Sequence, residues 1–295
     1  MDYNNFHFSG LLNKPIKRVI NAFIESVQLL SPIKNDHYKR NVKYTLNDYI
    51  IGIIDVTKNF HSWNSYNGFM KGDTLRKKHI EWCKLGVYEK VYEILLSKKL
   101  KESKITEELK YRSIDSTFIQ DINGSDFSSY NGIYKHRKGE SAKGIKITSI
   151  VTTTGIPISV QINTGKNYDS PLLSSTVDQI RIDCNTKKYQ NHNRFKQYLL
   201  ADSGYDSKEN LKLLHKKGYT PIIKQNKRNI RKKELVQQLN NKQKKIYKKR
   251  NIIENYHSWL KKFQKVKSLY ERNINSYKGL LLIAVSVIIS RRIHK

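Results

Sequence analysis

Three acids stand out, two in apolar strands where a carboxylate is costly and one on a cationic helix. Asp115 lies in the β-branched stretch SIDST, Asp202 in LLADSGYDS, and Glu254 in YKKRNIIENYHSWLKK, which follows one of the most basic runs of the chain. A carboxylate in an apolar strand needs a cationic side chain or a metal ion beside it. Ser and Gly follow both aspartates, so either one alone also suits a turn-capping role. Three such acids on a basic surface suit a hard divalent cation. Mg²⁺ prefers oxygen ligands and leaves the sites not taken by one or two carboxylates to water and phosphate. Two such ions about 3.5–4 Å apart activate a water or a 3′-hydroxyl and stabilise the leaving oxygen of a phosphodiester. The nine His form no H-E-x-x-H pair near these acids, so Zn²⁺ is not indicated. No G-x-S-x-G or Cys/His nucleophile pattern is present either.

The helix expected over residues 246–263 sharpens the case for Glu254. At about 100° per residue with Tyr247 at zero, Arg250 falls near −60°, Glu254 near −20° and Lys261 near −40°. Ile252, Ile253, Tyr256, Trp259, Leu260 and Phe263 fall opposite, as a buried face would. One stripe thus carries Tyr, Arg, Glu and Lys. A solvated charged face is the other reading of this stripe. The stretch 224–250 carries 12 Lys or Arg against Glu234 alone. It reads as a solvated loop or helix face, or, beside a catalytic site, as a phosphate-binding surface through Arg231, Lys244, Lys245, Lys248 and Lys249.

The whole chain shares this bias. Lys and Arg number 56 against 25 Asp and Glu in 295 residues, a formal net charge of +31. Such an excess repels itself in the compact state and is expected for a polyanionic partner, with nucleic acid the default. Codon bias toward Lys inflates the count but does not explain the scarcity of Glu. No basic amphipathic helix with a broad apolar face and no lipidation signal is found, so a membrane partner is not expected. Cys83 and Cys184 fit neither a disulfide framework nor a zinc spacing, which points to a reducing compartment. With no apolar leader at the N-terminus, secretion is not expected and a cytoplasmic location is. The run GLLLIAVSVIIS (279–290) is shorter than the ~20 residues a bilayer requires and reads as a buried helix.

The elements that must position these acids can also be read. Residues 1–105 show three- and four-residue apolar steps, with a break at Gly86, and are expected to form a helical N-terminal domain. Arg76, Lys77, Lys78 and His79 would suit a helix-turn-helix-like DNA reader there; a plain packing domain is the other reading. From residue 106 the texture changes. YRSIDSTFIQ reads as a buried strand, and KGIKITSIVTTTGIPISVQINTG as two strands joined at Thr154-Gly155. DSPLLSSTVDQI reads as a helix opened by a capping Asp or Ser, followed by the strand of LLADSGYDS, the helix SKENLKLLHKKG and the strand YTPIIK. The order, three strands, helix, strand, helix, strand, helix, predicts a mixed α/β sheet covered by helices over residues 106–295.

At this point the residues match a known pattern. The chain resembles the DDE transposases of bacterial insertion sequences that carry a Y-x₂-R-x₃-E-x₆-K signature, here Tyr247, Arg250, Glu254 and Lys261. SIDSTFI, LLADSGYDS and the tail GKNYDS are similar to the family's other blocks, and the resemblance runs over about residues 40–295. It implies an RNase H-like core, a mixed five-stranded sheet flanked by helices, with Asp115, Asp202 and Glu254 holding two Mg²⁺ ions, or Mn²⁺ as substitute. It also implies that Arg250 and Lys261 contact phosphates at the element's end with Tyr247 assisting. The implied activity is 3′-end cleavage at terminal inverted repeats and strand transfer into target DNA, by a homodimer or higher assembly on double-stranded DNA. The interval between Asp202 and Glu254 is too short for the large β-strand insertion of some relatives. Two other functions fit the same residues: a catalytically silent, repressor-like DNA-binding protein, and an RNase H-like nuclease without strand transfer.

Overall fold

The computed structural model describes residues 13–30, 43–59, 62–66, 68–102, 108–122, 132–135, 141–180, 197–226, 236 and 238–293. In chain order these form helices α1 (Lys14–Leu30), α2 (Leu46–Asn59), α3 (Gly72–Leu85) and α4 (Val87–Leu100), then strands β1 (Tyr111–Gln120), β2 (Gly132–Lys135), β3 (Ser141–Thr152) and β4 (Pro157–Thr164). Helix α5 (Asp169–Asp178), β5 (Gln197–Ala201), α6 (Lys208–Lys216) and β6 (Tyr219–Ile223) follow. The chain closes with α7 (Asn241–Tyr247), α8 (Asn251–Leu260), the single turn α9 (Gln264–Lys267) and α10 (Ile274–Ser290).

These elements fall into two compact units. One gathers residues 1–102, 122–127 and 260–295; the other gathers 103–121 and 128–259. A single cut at 105/106 therefore misses that the last helix packs with the first four. The physical reason is the apolar run itself. All but three residues of α10 are buried, a surface that one face of a sheet could not cover, and α1, α2, α3 and α4 surround it. Gly279 lets α10 come close: a Cβ there would sit 2.8 Å from Cys83 Sγ and 2.9 Å from the His79 ring. Among the described residues, no helix is long and apolar enough to cross a membrane.

The helical unit also contains a buried polar network. Glu271 accepts hydrogen bonds from Trp63 Nε1 (3.0 Å), Lys265 Nζ (2.8 Å) and Ser276 Oγ (2.6 Å). His79, read in sequence as part of a DNA-facing cluster, is instead fully buried against Tyr88 and Ser276. Burial holds its pKa down at about 4, so the ring is neutral in the folded chain.

The second unit is built on a mixed sheet of order β2-β3-β1-β5-β6, with β4 also paired to β3. Strands β1, β2, β3 and β4 run antiparallel to one another where they pair, whereas β1–β5 and β5–β6 are parallel. The five predicted strands are present; the four-residue β2 is additional and lies in a polar stretch too short to show alternation. The β3–β4 turn uses Gly155 twice over. Its φ of 78° favours glycine, and a Cβ would meet the Trp259 ring at 2.7 Å. Helix α5 differs from expectation at its start: Asp169 caps nothing with its side chain but pairs with the buried Lys146 at 2.9 Å.

Two outcomes test the helical unit. Glu271→Ala strands the Lys265 ammonium in the interior and is expected to cost about 3–5 kcal/mol in urea denaturation. The neutral His79 contributes stability that is complete above pH 6.5 and is lost as pH falls toward 4, because the unfolded chain takes up the proton first. Relative to His79→Phe, the wild-type unfolding free energy should fall across that window by at most about 1.4 kcal/mol per pH unit.

Candidate active site

Parallel strands β1 and β5 pair through Tyr111–Tyr198, Arg112–Leu199 and Ser113–Leu200. The pairing stops two residues short of Asp115 and Asp202, and the Asp202 charge acts on Asp115. Asp115 sits within β1 opposite Ser149 of β3, and its Oδ1 accepts the Ser116 amide at 2.8 Å. Asp202 follows β5 immediately and opens the 3₁₀ turn Ser203–Tyr205, where its Oδ1 accepts the Gly204 amide at 2.7 Å. The turn-capping role therefore holds for this residue. Ligands gather at carboxyl ends of strands in α/β sheets, and Asp202 is at such an end.

The third acid arrives on a helical segment that is not uniform. It starts at a capping box between Asn240 and Gln243, tightens into a 3₁₀ turn at Lys248–Arg250, and continues as α8. Ile246 anchors it by packing with Leu200 and Ile222, and Ile253, Tyr256 and Leu260 bury the opposite face as read from the sequence. The tightened turn lies against β1. That is why Arg250 reaches Asp115.

The Arg250 guanidinium joins the two acids. Nη1 donates to Asp115 Oδ2 at 3.2 Å and Nη2 to Glu254 Oε1 at 2.7 Å. The two contacts are unequal. The Asp115 side chain is 21% exposed, whereas that of Glu254 is 58% exposed. Exposed pairs contribute about 0.2–1 kcal/mol, so Glu254 can leave the guanidinium at little cost. Asp115 cannot so easily do without a cation. Its pKa is pushed up to about 6, chiefly by burial and further by Asp202 and Asp169, against the opposing pull of the Ser116 amide and Arg250. Burial works against the Arg250 charge, but Tyr247, Asp115 and Glu254 together hold its pKa above the ordinary value.

Tyr247 lies between two cations, with Lys224 Nζ 4.7 Å and the Arg250 guanidinium 5.8 Å from its ring centre. Burial raises its hydroxyl pKa. Lys244, Lys245, Lys248 and Lys249 are exposed, and Lys249 lies 5.1 Å from the Tyr111 ring centre. Arg231 lies outside the described residues. The helix ends at Leu260, so Lys261 is in the turn beyond it and belongs to the helical unit. The structure thus brings Asp115, Tyr247, Arg250 and Glu254 into one contact series, with Asp202 near enough for its charge to act on Asp115. The sequence reading had Lys224 only as the first residue of the basic stretch, and offered Asp169 or Ser170 as a cap. Lys224 lies one residue after the end of β6, which puts its ammonium over the Tyr247 ring.

Among the described residues, no three His, Cys, Asp or Glu side chains stand close enough to share a metal ion. The donor chemistry nonetheless fits a hard divalent cation. Asp115, Asp202 and Glu254 offer carboxylate oxygens alone, and Asp115 and Glu254 already share one cationic group between them.

The model of the Transposase DDE domain family matches residues 109–289, well over half of the chain. The chain belongs to that family, and it is a DNA-cleaving transposase. No curated protein matches the sequence. Among solved structures, a piggyBac transposase in a synaptic complex with hairpin DNA aligns over 95% of this chain and 73% of its own, at 13% identity and a TM-score of 0.46.

Arg250→Lys tests the bridge. An ammonium is a point charge that cannot offer two forked nitrogens to two carboxylates, so DNA cleavage is expected to fall about 10–100-fold. Cleavage at wild-type rate would show that only the charge is required.

Proposed function

We propose that the protein cleaves the 3′ ends of its own element at terminal inverted repeats and joins them to target DNA, using Asp115, Asp202 and Glu254 as ligands for two Mg²⁺ ions. The observation that carries this reading is the guanidinium of Arg250 held between a buried and an exposed carboxylate, beside the strand end that bears Asp202. When bound, the ions would activate the attacking oxygen and stabilise the leaving one.

The chain's own residues do the rest. Glu254, exposed and weakly paired, is the ligand that can swing from guanidinium to metal. Arg250, once Glu254 has swung away, has Nη2 free for a phosphate oxygen, and Tyr247 holds its plane from the side. Lys224, Lys248 and Lys249 extend the positive surface along the backbone of the bound DNA. Residues 1–105 are proposed to read the element's end, with Lys261 contacting a phosphate there. Because two ends must be joined to one target, a homodimer or higher assembly on DNA is the proposed working form.

The test is an incubation of the full chain with Mg²⁺ and DNA carrying the element's terminal repeats. Joined products that disappear in Asp115→Ala support the reading. Binding without cleavage would favour a silent, repressor-like protein, and cleavage without joining would favour a nuclease. The surface lysines predict a separate effect. Lys248→Ala and Lys249→Ala should each weaken binding across all sequences and make the slope of log K against log salt shallower by about 0.9 for every phosphate left unneutralised.

A further inference from the structure

We propose that Tyr205 is a positioning residue that fixes the Asp202 turn against the Asp115 strand without touching DNA. This rests on the assignment of Asp115 and Asp202 as metal ligands. The pairing of β1 with β5 stops at Ser113–Leu200, two residues short of both aspartates. Beyond that point, the pairing no longer sets their separation.

A side chain supplies the missing link. Tyr205 is fully buried, and its hydroxyl lies 3.0 Å from Ser116 Oγ, on the residue next to Asp115. Ser116 in turn donates its amide to Asp115 Oδ1. At the other end, the Tyr205 amide donates to the Asp202 carbonyl at 3.2 Å, closing the turn on itself. The path from one carboxylate to the other therefore runs Asp202, Tyr205, Ser116, Asp115.

Both ends of this strut are braced. The Tyr205 carbonyl accepts from Asn210 Nδ2 at 2.9 Å, and the same side-chain amide donates to the Ser170 carbonyl at 3.0 Å and Oγ at 2.9 Å. Ser116 Oγ lies 3.0 Å from Thr148 Oγ1, which accepts from Asn163 Nδ2 at 2.9 Å. A row of polar groups thus crosses from β4 through β3 to β1 and ends on the turn. A buried tyrosine commonly finds some partner for its hydroxyl. What distinguishes this one is that its partner adjoins one aspartate while its own backbone closes the turn of the other.

The variants are Tyr205→Phe, Ser116→Ala and the pair, in the full chain. The readouts are Mn²⁺ affinity by electron paramagnetic resonance, the cleavage rate and the thermal midpoint. Each single variant should weaken Mn²⁺ binding about tenfold, and the double variant should be no weaker than either, since one link is being removed. A lowered midpoint with wild-type Mn²⁺ affinity would reduce Tyr205 to a core residue and overturn the proposal. If Tyr205→Phe does not fold, Ser116→Ala decides alone by the same criterion. Wild-type protein that binds no Mn²⁺ would overturn the ligand assignment, and the strut's purpose with it. Wild-type binding with unchanged variants overturns the strut only.

Discussion

The structure of the catalytic unit converges on one guanidinium. Arg250 lies between Asp115, which the fold half-buries, and Glu254, which it leaves in water. Burying a carboxylate without a counter-charge is expensive, and a neighbouring Asp202 makes it more so. The sheet can place acids on β1 and at the end of β5 only because a cation is delivered there from the next helix. The capping box at Asn240, the packing of Ile246 on Leu200 and Ile222, and the 3₁₀ turn at Lys248–Arg250 all serve that delivery.

The inequality of the two contacts gives the site its use. A cation held equally tightly by two buried acids would be a structural salt bridge, costly to break. Here the Glu254 contact is cheap to release, while the less exposed Asp115 stays compensated by the guanidinium. The same logic explains the mixture of charges around it. Under the proposed function the acids would hold the metal ions, and Arg250, Lys224, Lys248 and Lys249 would face a polyanionic substrate.

Much of this was legible in the sequence, for reasons that differ by element. The strands announced themselves because the β-branched and aromatic run YRSIDSTFIQ favours an extended chain and the short apolar run YLLA ends at a Gly turn, and Gly155 marked its turn because both its φ and its contact with Trp259 exclude a side chain. The spacing of Tyr247, Arg250 and Glu254 was readable because local helical geometry puts them on one side. What periodicity could not supply was tertiary. His79 looked like a surface cation in a basic cluster, yet the Glu271–Ser276 network and the ring of Trp63 enclose it. The packing of α10 with α1 and α4 joins segments far apart in the chain, which no local pattern records. Lys261 fell on the expected stripe only if the helix ran past Leu260, and it does not.

The central claim is that Asp115, Asp202 and Glu254 converge on metal at the reacting phosphate. Anomalous diffraction from crystals of the protein bound to element-end DNA and Mn²⁺ tests it most directly. The account predicts Mn²⁺ peaks about 2.0–2.3 Å from oxygens of all three carboxylates and of a DNA phosphate. Peaks elsewhere on the chain, with Arg250 still joining Asp115 to Glu254 at full Mn²⁺ occupancy, would contradict it.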